Sequence, residues 1–92
     1  MVVTTRGYMV TIICDEPTSE HLIHNLSSFK AECCGITQMK GYVKNSEKDT
    51  DIIRIEFYGN LNIMKDIINY VKQHYVNKYP LYMTMVEIRE PM

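Results

Sequence analysis

The chain of 92 residues is 46% hydrophobic and carries 10 basic against 11 acidic side chains, enough for one small domain, read as spanning 1–92 with its core in about 7–90. A net charge of −1 lacks the basic surplus of a protein that grips nucleic-acid phosphates, and equally the acidic excess of a DNA mimic or solvating tail. Apolar runs are a few residues long, short of the roughly 18 to 20 that span a bilayer, and Met1-Val2-Val3-Thr4-Thr5-Arg6 lacks the charged-then-apolar order of a signal peptide.

Cys33 and Cys34 are adjacent and Cys14 is distant, a poor disulfide framework, so reduced thiols and a cytoplasmic location are expected. A chain this short buries only about 60 to 65% of its unfolded surface. Its modest stability is expected to be supplemented by oligomerisation.

In chain order, the β-branched and aromatic run Gly7 to Cys14 is the first predicted strand, stopped by Asp15-Glu16-Pro17. From Thr18, read as an N-cap, Leu22, Leu26, Phe29 and Cys33 fall on one helical face, with Ile23 and Ala31 flanking. Gly35 is read as the glycine that ends this helix. Residues 36–44 alternate, Asn45 to Thr50 supply turn formers, and Asp51 to Tyr58 alternate again, which predicts a hairpin.

Gly59-Asn60 breaks the strand, and Met64, Ile67, Ile68, Val71 and Tyr75 then form the apolar stripe of a second helix that ends before Pro80. Leu81 to Ile88 is the last predicted strand. The order βαββαβ predicts an α+β, ferredoxin-like domain: a four-stranded antiparallel sheet in the order 4-1-3-2, with both helices on one face.

If Ile53, Ile55 and Phe57 point at the helices, then Ile52, Arg54, Glu56 and Tyr58 point away, joined by Gln38, Lys40, Tyr42 and Lys44 on the neighbouring edge. On the first strand either Met9, Thr11 and Ile13 or Tyr8, Val10, Ile12 and Cys14 face outward, and both sets are largely apolar. The same ambiguity holds for Tyr82, Thr84, Val86 and Ile88. Such a face is more apolar than a solvated surface needs and is expected to be covered.

Local catalytic signatures are absent: no Walker loop, G-x-G-x-x-G, G-x-S-x-G, C-x-x-C or H-E-x-x-H occurs, and no activity as an enzyme is expected. An acylphosphatase would need an anion-binding loop where this chain has the acidic Asp15-Glu16-Pro17-Thr18-Ser19. His21 and His24 have a chelating i, i+3 spacing but no third ligand on their face, and are read as exposed surface residues. Cys33 is expected as a small buried residue, and Cys34 as more exposed. An RNA-binding RRM domain shares the topology, but residues 51–58 lack its glycine-aromatic pattern. Phe57 is therefore read as core, and Tyr42, Tyr58 and Tyr82 as interface residues with large contact area and a polar end.

Four stretches resemble the trimeric group that contains the divalent-cation-tolerance proteins (CutA) and the PII signalling proteins, three of them the former and one the latter. Lys30-Ala31-Glu32-Cys33-Cys34-Gly35-Ile36 is similar to the end of the first helix in the cation-tolerance family, which puts Cys33 at the family cysteine. Glu47-Lys48-Asp49-Thr50-Asp51 is similar to that family's entry into the third strand. Val71-Lys72-Gln73-His74-Tyr75, ending at Pro80, resembles its Val-x-x-x-His-Pro-Tyr segment and puts His74 at the family histidine. Gly35-Ile36-Thr37-Gln38-Met39-Lys40-Gly41-Tyr42 resembles the Gly-x-Thr-x-x-x-x-Gly-Phe stretch on the second strand of PII proteins.

The resemblance implies a non-catalytic regulatory or scaffold homotrimer whose ligand sits in clefts between subunits, near residues 44–50 and the segment after the second helix. The ligand or interface residues it suggests are Lys40, Tyr42, Lys44, Arg54, Glu56, Tyr58 and Tyr82; Cys33 and His74 are the implied metal ligands. The hairpin is far shorter than the PII T-loop, the Thr-Gly-x-x-Gly-Asp-Gly-Lys nucleotide loop is missing, and Tyr75 follows His74 where the cation-tolerance family has proline. That family's tryptophan before the third strand is missing too. Neither nucleotide nor 2-oxoglutarate binding of the PII kind is thus implied, and no cofactor is identified.

Two other readings remain at this point. One is a ferredoxin-like interaction module, such as an ACT-like small-molecule sensor or an adaptor that pairs its sheet face with another protein. The other is a nucleic-acid-binding domain with Lys40, Lys44, Lys48 and Arg54 as its patch.

Overall fold

A computed structural model describes residues 4–44 and 51–91, with the backbone alone for 4–6 and 89–91. The elements run β1 (Thr4–Asp15), α1 (Glu16–Leu26), a 3-10 turn (Ser27–Phe29), β2 (Cys33–Met39), β3 (Ile52–Gly59), α2 (Leu61–His74) and β4 (Leu81–Pro91). The sheet order is β2-β3-β1-β4 and every pairing is antiparallel, as the βαββαβ reading expects. The predicted turn at 45–50, with Lys48 and the Glu47-to-Thr50 part of the resemblance, lies outside the described residues.

Both helices start on side-chain caps. The Asp15 carboxylate accepts from the Thr18 backbone N–H at 3.0 Å, and Asn60 does the same for Ile63 at 2.9 Å. The first cap corrects the reading of Thr18, which is instead a buried residue of the first turn. Pro17 fits there because first-turn N–H groups have no partner within the helix.

α1 also ends earlier than its apolar spacing suggests. The Ser27 and Ser28 hydroxyls donate back to the carbonyls of His24 and Asn25, a local alternative to the helical ladder. Lys30 then turns left-handed at φ 59°, so it, and not Gly35, closes the helical segment. Cys33 consequently leaves the helix for β2 and is exposed, where the apolar stripe had placed it in the core.

The early helix end moves β2 toward the N-terminus and sets its register. The Glu32 N–H donates to the Tyr58 carbonyl at 2.8 Å, and Cys33 then pairs with Tyr58, Gly35 with Glu56 and Thr37 with Arg54. Because side chains alternate along a strand, Gln38 opposite Ile53 lies on the helix side, contrary to its predicted outward placement. Lys40, Tyr42 and Lys44 fall beyond the end of β2. Gly41 breaks the strand there: its φ is +153°, and a Cβ would stand 2.7 Å from the Ile52 side chain.

The core lies between the helices and one sheet face. Val10, Ile12 and Cys14 from β1 and Ile53, Ile55 and Phe57 from β3 meet Leu22 and Leu26 of α1 and Met64, Ile67 and Val71 of α2. This resolves the β1 ambiguity: Met9, Thr11 and Ile13 face outward. Tyr75 closes the core, and its hydroxyl accepts from the Asn25 side-chain amide at 2.6 Å, tying the end of α2 to α1. Phe29 and Tyr70 rings pack edge-on at 5.4 Å beside it.

Candidate functional site

The face without helices is continuous across all four strands. Its successive rows read Val86-Met9-Tyr58-Cys33, then Thr84-Thr11-Glu56-Gly35, then Tyr82-Ile13-Arg54-Thr37. Tyr82 and Val86 are 54% and 52% exposed, and the β1 and β3 members are half-buried. Tyr58 lies across Gly7, where any Cβ would collide with its ring and hydroxyl. Gly35 has open space above it, and a shallow depression of about 420 Å³ opens there between Met9, Cys33, Glu56, Tyr58 and Ile88.

A second, more polar groove of about 510 Å³ lies at the end of the molecule where α2 passes into β4. It is lined by Lys44 and by the segment from Val76 to Tyr82. Two features shape that segment. The N–H groups of Lys78 and Tyr79 both donate to the Tyr75 carbonyl at 3.0 Å, and Asn77 takes the left-handed conformation at φ 70°, which asparagine tolerates well. Pro80 then ends the turn, and the Tyr79 ring rests on Tyr75 at 5.2 Å, with His21 packed against both rings, 6.1 Å from Tyr79 and 6.5 Å from Tyr75. Two ammonium groups, Lys44 and Lys78, beside the aromatic rings of Tyr79 and Tyr82 favour a flat or anionic ligand.

The expected site residues therefore divide. Lys44 and Tyr82 meet at the polar groove, while Glu56, Tyr58 and Cys33 line the depression on the open face. Arg54 sits beside Glu56, with Nε 3.8 Å from the carboxylate. Lys40 pairs with Asp51 at 3.4 Å, and Asp51 also accepts from the Gln38 amide; Tyr42 is 78% exposed.

Cys33 and His74 do not come together. Cys33 is on the open face, whereas His74 is on α2 behind the sheet, its ring tilted against Tyr70 with centroids 4.5 Å apart. Among the described residues, no group of three or more His, Cys, Asp or Glu is placed to hold a metal ion. His21 and His24 are both exposed. Burial, with Asp15 adding to it, pushes the Cys14 thiol up to about 12, and partial burial followed by the neighbouring Cys33 raises Cys34.

The sequence pointed to the segment after the second helix and offered Tyr82 as the one candidate ligand residue within it. Of Asn77, Lys78 and Tyr79 only Asn77 is a turn-forming residue type, and the convergence of the three on Lys44 depends on sheet geometry.

This architecture defines the chain as a ferredoxin-like α+β protein with one sheet face left open. Its fold is similar to that of solved PII-like proteins. CPII from Thiomonas intermedia, a nitrogen regulatory PII-like protein, superposes in its apo form with a TM-score of 0.80 at 10% identity, over 100% of this chain and 99% of that one. The same protein bound to ADP, AMP and bicarbonate gives 0.77 at 12% identity, covering 96% of each chain. A candidate PII-like signalling protein from Thermus thermophilus gives 0.76 at 16% identity, over 95% and 90% of the two chains. No family model and no curated protein matches the sequence. Among the described residues no helix is long and apolar enough to cross a membrane.

Proposed function

We propose that this chain is a non-catalytic regulatory or scaffold protein of the PII/CutA-like type, a cytoplasmic homo-oligomer, with a trimer favoured, that binds a small ligand or a partner protein. The observation that carries this reading is the open sheet face, whose central rows combine Met9, Ile13, Tyr58, Tyr82 and Val86 with no helix over them. Packing three such faces around an axis would remove that apolar surface from water and complete a core that one small subunit leaves unfinished. Tyr58 and Tyr82 would then be interface residues, and Tyr42 would lie at its margin.

The polar groove stands where a cleft between subunits is expected, next to Lys44 and after α2. Lys44 and Lys78 suit an anionic ligand, and by structural likeness ADP, AMP and bicarbonate are the first to test. Lys40 would contribute to the same end of the molecule. A metal site shared by Cys33 and His74 would need two subunits, because the sheet separates them within one.

The test is the mass in solution by light scattering at micromolar concentration, followed by a thermal-shift series with the three anions and with divalent metals. An oligomer is expected, with a melting temperature that rises with ligand and no longer does so in Lys44→Glu or Lys78→Glu. A monomer would sink the reading.

A further inference from the structure

The three central rows of the open face carry two formal charges, Arg54 and Glu56, with opposite signs and two residues apart on β3. Their geometry within one chain is incomplete. Arg54 Nε is shielded from solvent and has no hydrogen-bond partner among the described residues, and the Glu56 oxygen nearest to it stands at 3.8 Å, beyond hydrogen-bond reach. The side chains remain 41% and 37% exposed, so the outer nitrogens of the guanidinium and the carboxylate can still meet another molecule. A guanidinium presents five donors in a fixed fork suited to a carboxylate, and a lone loose contact uses little of that capacity.

We propose that Arg54 and Glu56 are the register-setting pair of the oligomer interface, each completed by the opposite residue of a second copy. This rests on the open face being the interface. The occupant follows from charge. One cation and one anion among otherwise neutral side chains give a patch of zero net charge that matches a rotated copy of itself. A nucleic acid or an acidic peptide would call for a cationic excess, which these rows lack.

Laid antiparallel over its copy with Ile55 at the crossing point, β3 brings each Arg54 over the other chain's Glu56. Around a three-fold axis each Arg54 meets the next Glu56 head to tail. Either arrangement penalises any slipped register, because a shift sets like charges together or leaves an ion unpaired in an apolar surround.

The experiment compares assembly masses by light scattering across a dilution series for the wild-type chain, Arg54→Glu, Glu56→Arg and the double swap Arg54→Glu/Glu56→Arg, each checked for folding by circular dichroism. Each single reversal is expected to raise the dissociation constant at least about tenfold, the low end for disrupting a buried charge pair. An equal mixture of the two singles, one of them affinity-tagged, should re-form mixed assemblies in full for a two-fold pair and only in part for a three-membered ring, where one like-charge contact always remains. The double swap should recover wild-type mass.

Wild-type assemblies with singles that keep their mass would overturn the pair and leave the oligomer standing. Singles that dissociate, with a double swap that stays dissociated, would overturn it too. A monomeric wild-type chain would overturn both the pair and the reading beneath it.

Discussion

The two faces of this sheet are made from the same strands and behave as different materials. On the helix side, Ile12, Ile55, Leu22 and Met64 are sealed from solvent, while on the other side Tyr82 and Val86 keep about half their surface in water. β3 records the difference in its own alternation, with Ile53, Ile55 and Phe57 buried and Ile52, Arg54, Glu56 and Tyr58 half-buried between them. β1 alternates in burial as well but not in residue type, because Met9 and Ile13 are nearly as apolar as Val10 and Ile12. The contrast shows that helix coverage, and not side-chain type, decides which face is the finished core.

The largest expected difference between the faces comes from truncation. Ile55→Ala should cost about 2–5 kcal/mol in urea unfolding, because the packed helices cannot collapse onto the void. Val86→Ala should cost less than about 1 kcal/mol in a dilute monomer, and more as protein concentration rises if the open face is an interface. A Val86→Ala cost that ignores concentration would break that link.

Gly7→Ala comes next. The new methyl group meets the Tyr58 ring and should cost about 1–3 kcal/mol by overpacking. Adding Tyr58→Ala should relieve that clash, so the two changes together should cost less than their sum.

The cysteines sharpen the comparison through pH. Cys14 sits in the finished core with its thiol pushed up to about 12, whereas Cys33 is exposed. On unfolding, Cys14 returns to the usual range near about 8.5, so above that pH the unfolded chain releases a proton that the folded chain retains. Its contribution is whole below that pH and is lost as pH rises toward about 12. Urea midpoints from pH 7 to 10 should fall more steeply for the wild-type chain than for Cys14→Ala. A disulfide reagent at pH 8 should label Cys33 in the folded protein and Cys14 only after unfolding. The smallest effect is Asn60→Ala, which removes the α2 cap and should cost about 1 kcal/mol by thermal unfolding.

The order of elements and of strands was legible because long-range alternation and amphipathic spacing each demand one partner. Local competitors hid the rest. Two serines and a left-handed Lys30 end the first helical segment before an apolar stripe that continues to Cys33, and that earlier stop reverses the predicted face of Gln38. The outward sets of β1 and β4 could not be chosen from residues apolar on both sides. Of the candidate site, Lys44 and Tyr82 were found, yet Asn77 carried only a turn signal and Lys78 and Tyr79 none until the backbone brought them beside Lys44.

The strand order also bears on how the molecule is made. β1 is central, but its partners β3 and β4 lie late in the chain, and the β1-β4 ladder joins Thr4 to Pro91. Closing such distant pairs costs loop entropy before any contact repays it, so folding should be slow for so small a protein. During synthesis, one edge of β1 stays without its partner until residues 81–91 have left the ribosome. For that interval the nascent chain presents the central strand of its sheet as a template for wrong partners, and chaperone demand should fall once β4 docks.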